Sequence, residues 1–214
     1  MDKETNKHLE DLSKIRSIME RSSSFLSLSG LSGVFAGIFA LLGAGFAYWY
    51  IHFKYAEEIT KKIFPIYSIN QEMLYVLLID AGLVLFFALI FGLYFTYRNS
   101  KRKKNVNFWD NTAKRMLINL LIPLATGGIF SVIMLYHGAY FLVGSSTLIF
   151  YGLALVNASK YTVTDIRYLG LSEVFLGLLA AVNLGYALYF WAIGFGVLHI
   201  IYGTLMYLKY EKNK

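Results

Sequence analysis

GLSGVFAGIFALLGAGFAYWY, residues Gly30–Tyr50, is a stretch of 21 residues that contains no charged side chain. A helix rises about 1.5 Å per residue, so a stretch of this length reaches across a hydrocarbon core about 30 Å thick. Its apolar part is too long for a cleaved signal peptide, and about twenty mostly polar residues precede it. The stretch therefore predicts a retained transmembrane helix.

Five further apolar runs have the length and composition of transmembrane helices. The chain is 57% hydrophobic, whereas soluble domains are about 45–50% apolar, and its mean hydropathy is +0.53. We predict an all-α membrane protein in which a cytoplasmic amphipathic helix (residues 1–22) precedes a six-helix transmembrane domain (residues 23–214). The predicted spans cover residues 25–53, 73–97, 116–136, 140–158, 168–188 and 190–208.

The distribution of lysine and arginine predicts the orientation of these spans. If the N-terminus is cytoplasmic, 17 of the 20 basic residues lie in cytoplasmic segments, and only Lys54, Lys61 and Lys62 lie outside. Cytoplasmic loops of membrane proteins carry an excess of basic residues, so we expect both termini in the cytoplasm. The alternative, six buried helices of a soluble protein, fits the lengths and flanks of the runs less well.

Two cytoplasmic segments are candidates for contacts outside the bundle. The basic run Arg98–Lys104 is explained by contact with anionic lipid headgroups, so no nucleic-acid partner is predicted. Within residues 1–22, Leu9, Leu12 and Ile15 share one face of an amphipathic helix. That helix could dock on the cytoplasmic loops, lie on the lipid bilayer or bind a cytoplasmic protein partner.

The first and fifth spans contain an internal repeat. Gly30–Tyr50 aligns without gaps on Gly170–Phe190, and nine of the 21 positions are identical, where chance would give about three. Both segments run from inside to outside, so the repeat is parallel. We predict three helical hairpins related by this repeat. The even-numbered spans share an aromatic–glycine step: Phe91-Gly92, Tyr151-Gly152 and Tyr202-Gly203.

Small residues and one proline predict how the helices pack. Helices in lipid are held together by close backbone approach rather than by a hydrophobic drive. Ser29, Gly33 and Gly37 are spaced four residues apart and form a packing ridge, and Gly177 is the counterpart of Gly37 in the repeat. Pro123 removes a backbone donor from the third span, which predicts a kink there.

Four polar side chains within the spans form a candidate intramembrane polar site. Inserting a carboxylate such as Asp80 costs about 2.5–3.5 kcal/mol, which makes a functional role the default interpretation. Asn183 is predicted at a similar depth and could hydrogen-bond to Asp80. His199 could relay protons, although a lone histidine is more often a satisfied interhelical donor. Glu173 lies nearer the cytoplasm, where snorkelling or contact with Arg167 would explain it.

No catalytic residue, cofactor or metal site is predicted. The absence of cysteine excludes disulfides and thiolate ligands. His52, His137 and His199 have no paired spacing within a helix and lie at different predicted depths, which disfavours metal or haem. An enzyme acting on lipid needs two catalytic groups at one depth, and only Asp80 with the neutral Asn183 approaches that.

The stretch IRSIMERSSSFLSLSGLSGVFAG, Ile15–Gly37, resembles the opening of a family of small bacterial six-span integral membrane proteins without an assigned activity. The resemblance covers the end of the cytoplasmic helix and part of the first span. It implies a location in the bacterial cytoplasmic membrane and supplies no catalytic residue.

Two functions remain open at this point. The first is a small transporter or permeation protein for a proton, cation or small polar solute, with a path near Asp80, Asn183 and His199. The second is a noncatalytic sensor or regulatory subunit that binds a cytoplasmic partner through residues 1–22. The oligomeric state also stays open, with a homo-oligomer among the alternatives.

Overall fold

A computed structural model describes residues 29–54, 71–102 and 109–212, which form helices and no strand. The amphipathic segment 1–22 and most of the basic loop after the second helix lie outside the described residues. Six helices follow one another: α1 (Gly30–Lys54), α2 (Gln71–Arg102), α3 (Asn111–Tyr136), α4 (Tyr140–Ala158), α5 (Asp165–Val182) and α6, which joins Ala187–Trp191, the π-helical Ala192–Leu198 and His199–Tyr210.

Five of these helical stretches are long and apolar enough to cross a membrane, which indicates a membrane protein. They are α1, α2, α3, α4 and the stretch Leu184–Tyr210, which contains α6. Helix α5 is not among them because three charged residues fall within its 18 residues: Asp165, Arg167 and Glu173. On α2, the side chains of Leu85, Leu89 and Leu93 are exposed. A water-soluble protein rarely leaves such a continuous apolar face uncovered.

The helices form a bundle in which α2 packs mainly against α1, and α3 packs mainly against α4. Helix α1 packs against α2 on one side and against α6 on the other. Helix α6 also contacts α4 and α5, and α4 packs against both α5 and α3. Consecutive helices therefore lie side by side in the pairs α1–α2, α3–α4, α4–α5 and α5–α6. Helices α2 and α3 share no extended contact, although they too are consecutive.

The α1–α6 and α4–α5 pairs use corresponding glycines for close backbone contact. A Cβ atom added at Gly203 of α6 would lie 2.6 Å from the backbone nitrogen of Val34. A Cβ atom added at Gly152 of α4 would lie 2.8 Å from the backbone nitrogen of Val174. Val34 and Val174 are aligned residues of Gly30–Tyr50 and Gly170–Phe190. Only glycine allows the two backbones to approach this closely.

A second set of glycine contacts also matches between the α1–α6 and α4–α5 pairs. A Cβ atom at Gly37 would lie 2.7 Å from Cγ1 of Ile200. A Cβ atom at Gly177, the residue aligned with Gly37, would lie 2.6 Å from Cγ1 of Ile149. The isoleucines each lie three residues before the glycine that α6 or α4 contributes to the first set. The two helix pairs therefore share one contact pattern.

Helix α3 is capped at its start and compensated at its proline. Asp110 accepts a hydrogen bond from the backbone N–H of Ala113 at 2.6 Å and is the N-cap of the helix. Pro123 cannot donate to the carbonyl of Asn119. Nδ2 of Asn157, on α4, donates to that carbonyl at 2.9 Å instead. A neighbouring helix thus satisfies the group that the proline leaves free.

The end of α6 holds the starts of two other helices. Glu211 accepts hydrogen bonds from the Ser29 hydroxyl at 3.1 Å and from the backbone N–H of Gly30. Asp165, at the start of α5, accepts a hydrogen bond from the Tyr210 hydroxyl at 2.8 Å and lies 3.0 Å from Nζ of Lys209. A carboxylate at a helix start favours that helix because its first N–H groups lack partners.

One predicted boundary is wrong. The fifth helix ends at Val182, whereas the apolar pattern predicted a span that continues to residue 188. Asn183 leaves the helical conformation, with φ −112° and ψ 66°, and its Nδ2 donates to the carbonyl of Leu179 at 2.9 Å. Apolar residues continue beyond the turn, so hydrophobicity alone could not locate the end of the helix. An asparagine that bonds to a last-turn carbonyl ends it here.

Candidate functional site

A cavity of about 220 Å³ lies between the helices, and all six of them contribute to its wall. Most of the wall is apolar. Residues from all three aromatic–glycine steps line it, on α2, α4 and α6. One residue from each helix, in chain order, illustrates the wall: Gly33, Gly92, Leu120, Tyr151, Leu169 and His199. The cavity is therefore a central feature of the bundle rather than a groove on one helix.

Glu173 is the most deeply buried ionisable side chain among the described residues, with an exposed fraction of 0%. Its Oε1 lies 3.3 Å from Nδ1 of His199, whose side chain is also buried. Neither carboxyl oxygen of Glu173 has a hydrogen-bond partner among the described residues. The expected contact with Arg167 is therefore not formed, and the side chain does not snorkel. It points inward because α5 is enclosed at this level by α4 and α6.

The hydrogen bonds of His199 determine where its protons lie. Nδ1 lies 3.0 Å from the carbonyl oxygen of Gly194, which can only accept, so Nδ1 carries a proton. Nε2 lies 2.8 Å from the Tyr151 hydroxyl. A neutral His199 accepts a hydrogen bond from the Tyr151 hydroxyl at Nε2, whereas an imidazolium donates a hydrogen bond from Nε2 to the tyrosine oxygen. The Tyr151 hydroxyl can therefore reverse its direction when His199 gains or loses a proton.

The fully buried Glu173 carboxyl group needs either a charged partner or a proton of its own. An isolated ionised carboxylate in an apolar interior is strongly unfavourable, so it must be paired with a charge or be neutral. Either His199 is an imidazolium beside the Glu173 carboxylate, or Glu173 is the neutral acid beside a neutral His199. Each arrangement holds one proton more than the separate carboxylate and imidazole do. The pair is therefore a candidate site for binding a proton inside the bundle.

Local backbone geometry makes room for this pair. Gly194 belongs to the π-helical segment Ala192–Leu198, and His199 follows that segment directly. Single π-helical turns within helices are rare and often occur at functional sites. A Cβ atom at Gly194 would collide with Oε2 of Glu173 and would lie 2.6 Å from Cδ2 of Leu148. Glycine at this position is what allows the Glu173 carboxyl group to reach His199.

Asp80 lies apart from this pair. Its half-buried side chain faces α1, where its oxygens lie 3.3 and 3.4 Å from the position that a Cβ atom of Gly43 would take. A separate, smaller groove surrounds it, lined by Phe39, Leu83 and Val84 among others. Asp80 has no ion pair with a described residue. It therefore belongs to the α1–α2 contact and not to the central cavity.

The predicted polar site is brought together only in part. Glu173 and His199 meet, and His199 lines the cavity. Asn183 is exposed in the turn after α5 and bonds to its own helix, so it makes no hydrogen bond to Asp80. Ser29 lines the cavity beside the start of α1. The sequence placed Asn183 at the depth of Asp80 because the predicted fifth span continued to residue 188. The helix ends at Val182, so Asn183 lies in the following turn instead.

Two residues of the site were not predicted, although the sequence carries a signal for each. Tyr151 belongs to an aromatic–glycine step, which placed it on a shared scaffold without assigning it a role. Gly194 and Gly196 flank Phe195 just before His199, and two glycines so close together are unusual in a helix interior. Close glycines next to an intramembrane histidine indicate a side chain packed tightly against that backbone.

Among the described residues, no three histidine, aspartate or glutamate side chains gather in a group that could hold a metal ion. Comparison of the chain with protein-family models, with curated proteins and with solved structures gives no match.

Proposed function

We propose that the chain crosses the bacterial cytoplasmic membrane six times, with both termini in the cytoplasm. The 17-to-3 distribution of basic residues supports this orientation. If α5 is the sixth span, its charged side chains must be kept away from the lipid hydrocarbon. Asp165 lies in the first turn and is paired with Lys209, and Glu173 is fully buried. Arg167, also in the first turn, can snorkel to the headgroups.

The arrangement as three hairpins related by a parallel repeat is part of this proposal. The matching contacts of Gly37 and Gly177, and of Gly203 and Gly152, support it. In both sets of contacts, the residues that α1 and α5 contribute occupy aligned positions of the repeat. In this arrangement Glu173 takes the place of Gly33, so one copy of the repeat carries the ionisable group that the other lacks.

As the function of this protein we propose proton-linked transport, in which the Glu173–His199 pair carries the proton. The observation that carries the proposal is the fully buried Glu173 carboxyl group 3.3 Å from the His199 imidazole. Ionisable residues inside membrane spans are rare and mark proton relays and transport paths. Tyr151 and His199 both line the cavity and are hydrogen-bonded to each other, and His199 lies 3.3 Å from Glu173, so these two groups offer a route for a proton between the cavity and Glu173.

A flux measurement tests this function. Purified protein is reconstituted into liposomes that enclose a pH-sensitive dye, and a potassium gradient with valinomycin drives proton entry. Glu173→Gln keeps the size of the side chain and removes its titration. We expect it to slow proton entry by at least about tenfold, which corresponds to about 1.4 kcal/mol in barrier height.

Asp80→Asn is the matched control, since it also removes one carboxyl group from a span. Because Asp80 lies outside the central cavity, we expect this variant to retain most of the wild-type rate. Equal proton entry in wild type, Glu173→Gln and protein-free liposomes would refute proton transport. Loss of flux in Asp80→Asn alone would place the proton site on α2 instead.

A further inference from the structure

Among the described residues, glycine contacts close the wall of the central cavity on two sides and no helix contact closes it on a third. Gly203 and Gly152 press against the backbones of α1 and α5, which seals the α1–α6 and α4–α5 contacts. Gly92, in the third aromatic–glycine step, lines the same cavity, yet a Cβ atom there would meet no atom within 4 Å. Its helix, α2, does not pack against α3. We call this opening between α2 and α3 the α2–α3 seam.

The α2–α3 seam leads from the cavity toward the hydrocarbon of the bilayer. Gly92 and Leu120 line the cavity on its two sides. The neighbouring side chains of Leu93 on α2 and Leu121 on α3 are exposed and apolar. Charged or strongly hydrated molecules would have to leave water to pass there. The seam therefore suits a molecule that is already dissolved in the membrane.

The size and lining of the cavity narrow the class of that molecule. At about 220 Å³ the cavity is smaller than the roughly 300–1,000 Å³ of pockets for drug-sized ligands. Its mostly apolar wall would accept a single hydrocarbon chain. Hydrogen bonding is available at the Tyr151 hydroxyl, which is bonded to His199 beside the buried Glu173. A ligand with one apolar chain and one polar end matches this distribution.

The hydrogen bonds of Tyr151 specify the polar end. Both nitrogens of His199 already have partners, so the free hydrogen-bonding capacity of the Tyr151–His199 pair belongs to the Tyr151 hydroxyl. When His199 is neutral, Tyr151 donates to it and can only accept from a ligand. When His199 is an imidazolium, Tyr151 accepts from it and can donate to a ligand. A carboxyl group satisfies both states, because it donates when protonated and accepts when ionised.

We propose that the α2–α3 seam admits a long-chain carboxylic acid from the bilayer and that its carboxyl group binds at Tyr151. The inference rests on the proposed proton-linked transport and names its substrate class. Proton exchange between the acid and the Glu173–His199 pair conserves charge, since the proton that leaves the ligand is taken up by the pair. Transport then delivers the acid and the proton by one route.

Photolabelling of the protein in liposomes tests the binding. The probe is a fatty acid that carries a diazirine on its chain, and the labelled residues are located by peptide mass spectrometry. We expect labelling of buried wall residues such as Leu155 and Met206, and competition by unlabelled fatty acid. Labelling confined to outward-facing residues such as Phe86 would overturn the proposal.

Two glycines of α2 give a matched pair of variants. Both Gly82 and Gly92 face open space, but only Gly92 lines the cavity. Gly92→Trp places a large side chain in the seam, and we expect it to lower wall labelling by at least about tenfold, the change expected for about 1.4 kcal/mol of lost binding. Gly82→Trp should label like the wild type. Equal labelling in both variants would show that the ligand does not pass through the seam.

Two further probes identify the source and head of the ligand. The matching long-chain alcohol, with the same diazirine, should label the wall more weakly than the acid, and Tyr151→Phe should remove this difference. A phospholipid that carries the same chain should label outward faces only; wall labelling equal to that of the acid would assign the cavity to membrane lipid. Labelling needs no proton movement, so wall labelling without flux would refute transport and leave the binding site standing.

Discussion

Asn157 supplies the hydrogen bond that Pro123 removes from α3. Its Nδ2 donates to the carbonyl of Asn119 at 2.9 Å, and this carbonyl would otherwise face the membrane interior without a partner. Hydrogen bonds between membrane helices contribute about 0.6 kcal/mol on average and up to about 1.7 kcal/mol. Because this one satisfies a carbonyl without a helical partner, we expect Asn157→Leu to destabilise the protein by about 1–2 kcal/mol, measured by unfolding in mixed detergent.

A double-mutant cycle isolates this contact. In Pro123→Ala the backbone N–H returns and bonds to Asn119 within the helix. Asn157→Leu should then cost much less, so that the two substitutions are coupled. An unchanged cost of Asn157→Leu in the Pro123→Ala background would mean that Asn157 stabilises the bundle through packing alone.

At the same scale, the sequence predicted which residues are polar within the spans but not which of them meet. Asp80 was assigned a functional role because the cost of inserting a carboxylate depends on its depth along a helix, which the sequence gives. Function at a buried site depends also on which way a side chain faces, which the sequence leaves open. Glu173 can face inward because α4 and α6 enclose α5 and because Gly194 of α6 leaves room for its carboxyl group. That space is created by two helices together and cannot be read from either.

Glycines on α1 differ in what they face, and this distinguishes helix packing from helix propensity. A Cβ atom at Gly37 would lie 2.6 Å from the carbonyl oxygen of Gly196, whereas one at Gly45 would meet nothing within 4 Å. Gly37→Leu forces α1 away from α6, and overpacking of this kind costs about 1–3 kcal/mol. Gly45→Leu should be neutral or stabilising by up to about 1 kcal/mol, because glycine is a poor helix former. Unfolding in mixed detergent measures both.

The same comparison extends to the second helix pair. Gly177 contacts α4 as Gly37 contacts α6, so Gly177→Leu should cost about as much as Gly37→Leu. A cost close to that of Gly45→Leu would contradict an equivalent role for the two helix pairs. Each variant replaces one glycine by leucine, so the length and the charge of α1 and α5 stay constant across the comparison.

Element boundaries were predictable where polar residues end an apolar run. The fourth span was predicted over residues 140–158, and α4 covers Tyr140–Ala158. The start of α3 was predictable from Asp110, whose carboxylate caps it. The end of α5 was not, because Asn183 interrupts the helix within an apolar stretch. The π-helical turn of α6 has no signature beyond its two glycines, since it follows from packing against Glu173.

For the whole molecule, the number of spans decides on which side of the membrane the C-terminus lies. Helix α5 has 18 residues and a length of about 27 Å, close to the hydrocarbon thickness of about 30 Å. It packs along α4, and its first turn is paired with the end of α6. We expect a helix enclosed in this way to cross the membrane with its neighbours. We therefore expect the turn after α5 outside and the C-terminus inside.

Single cysteines test this topology, because the natural chain contains none. Gly185→Cys lies in the turn after α5, and His137→Cys lies in the turn between α3 and α4. With six spans, a membrane-impermeant maleimide added to intact cells should modify both, whereas Lys160→Cys at the opposite end of α4 should react only after the cells are opened. If α5 does not cross, Gly185→Cys lies on the same side as Lys160→Cys and is protected in intact cells. The C-terminus would then lie outside, and the ends of α5 and α6 that Asp165 joins could not both sit at the cytoplasmic surface.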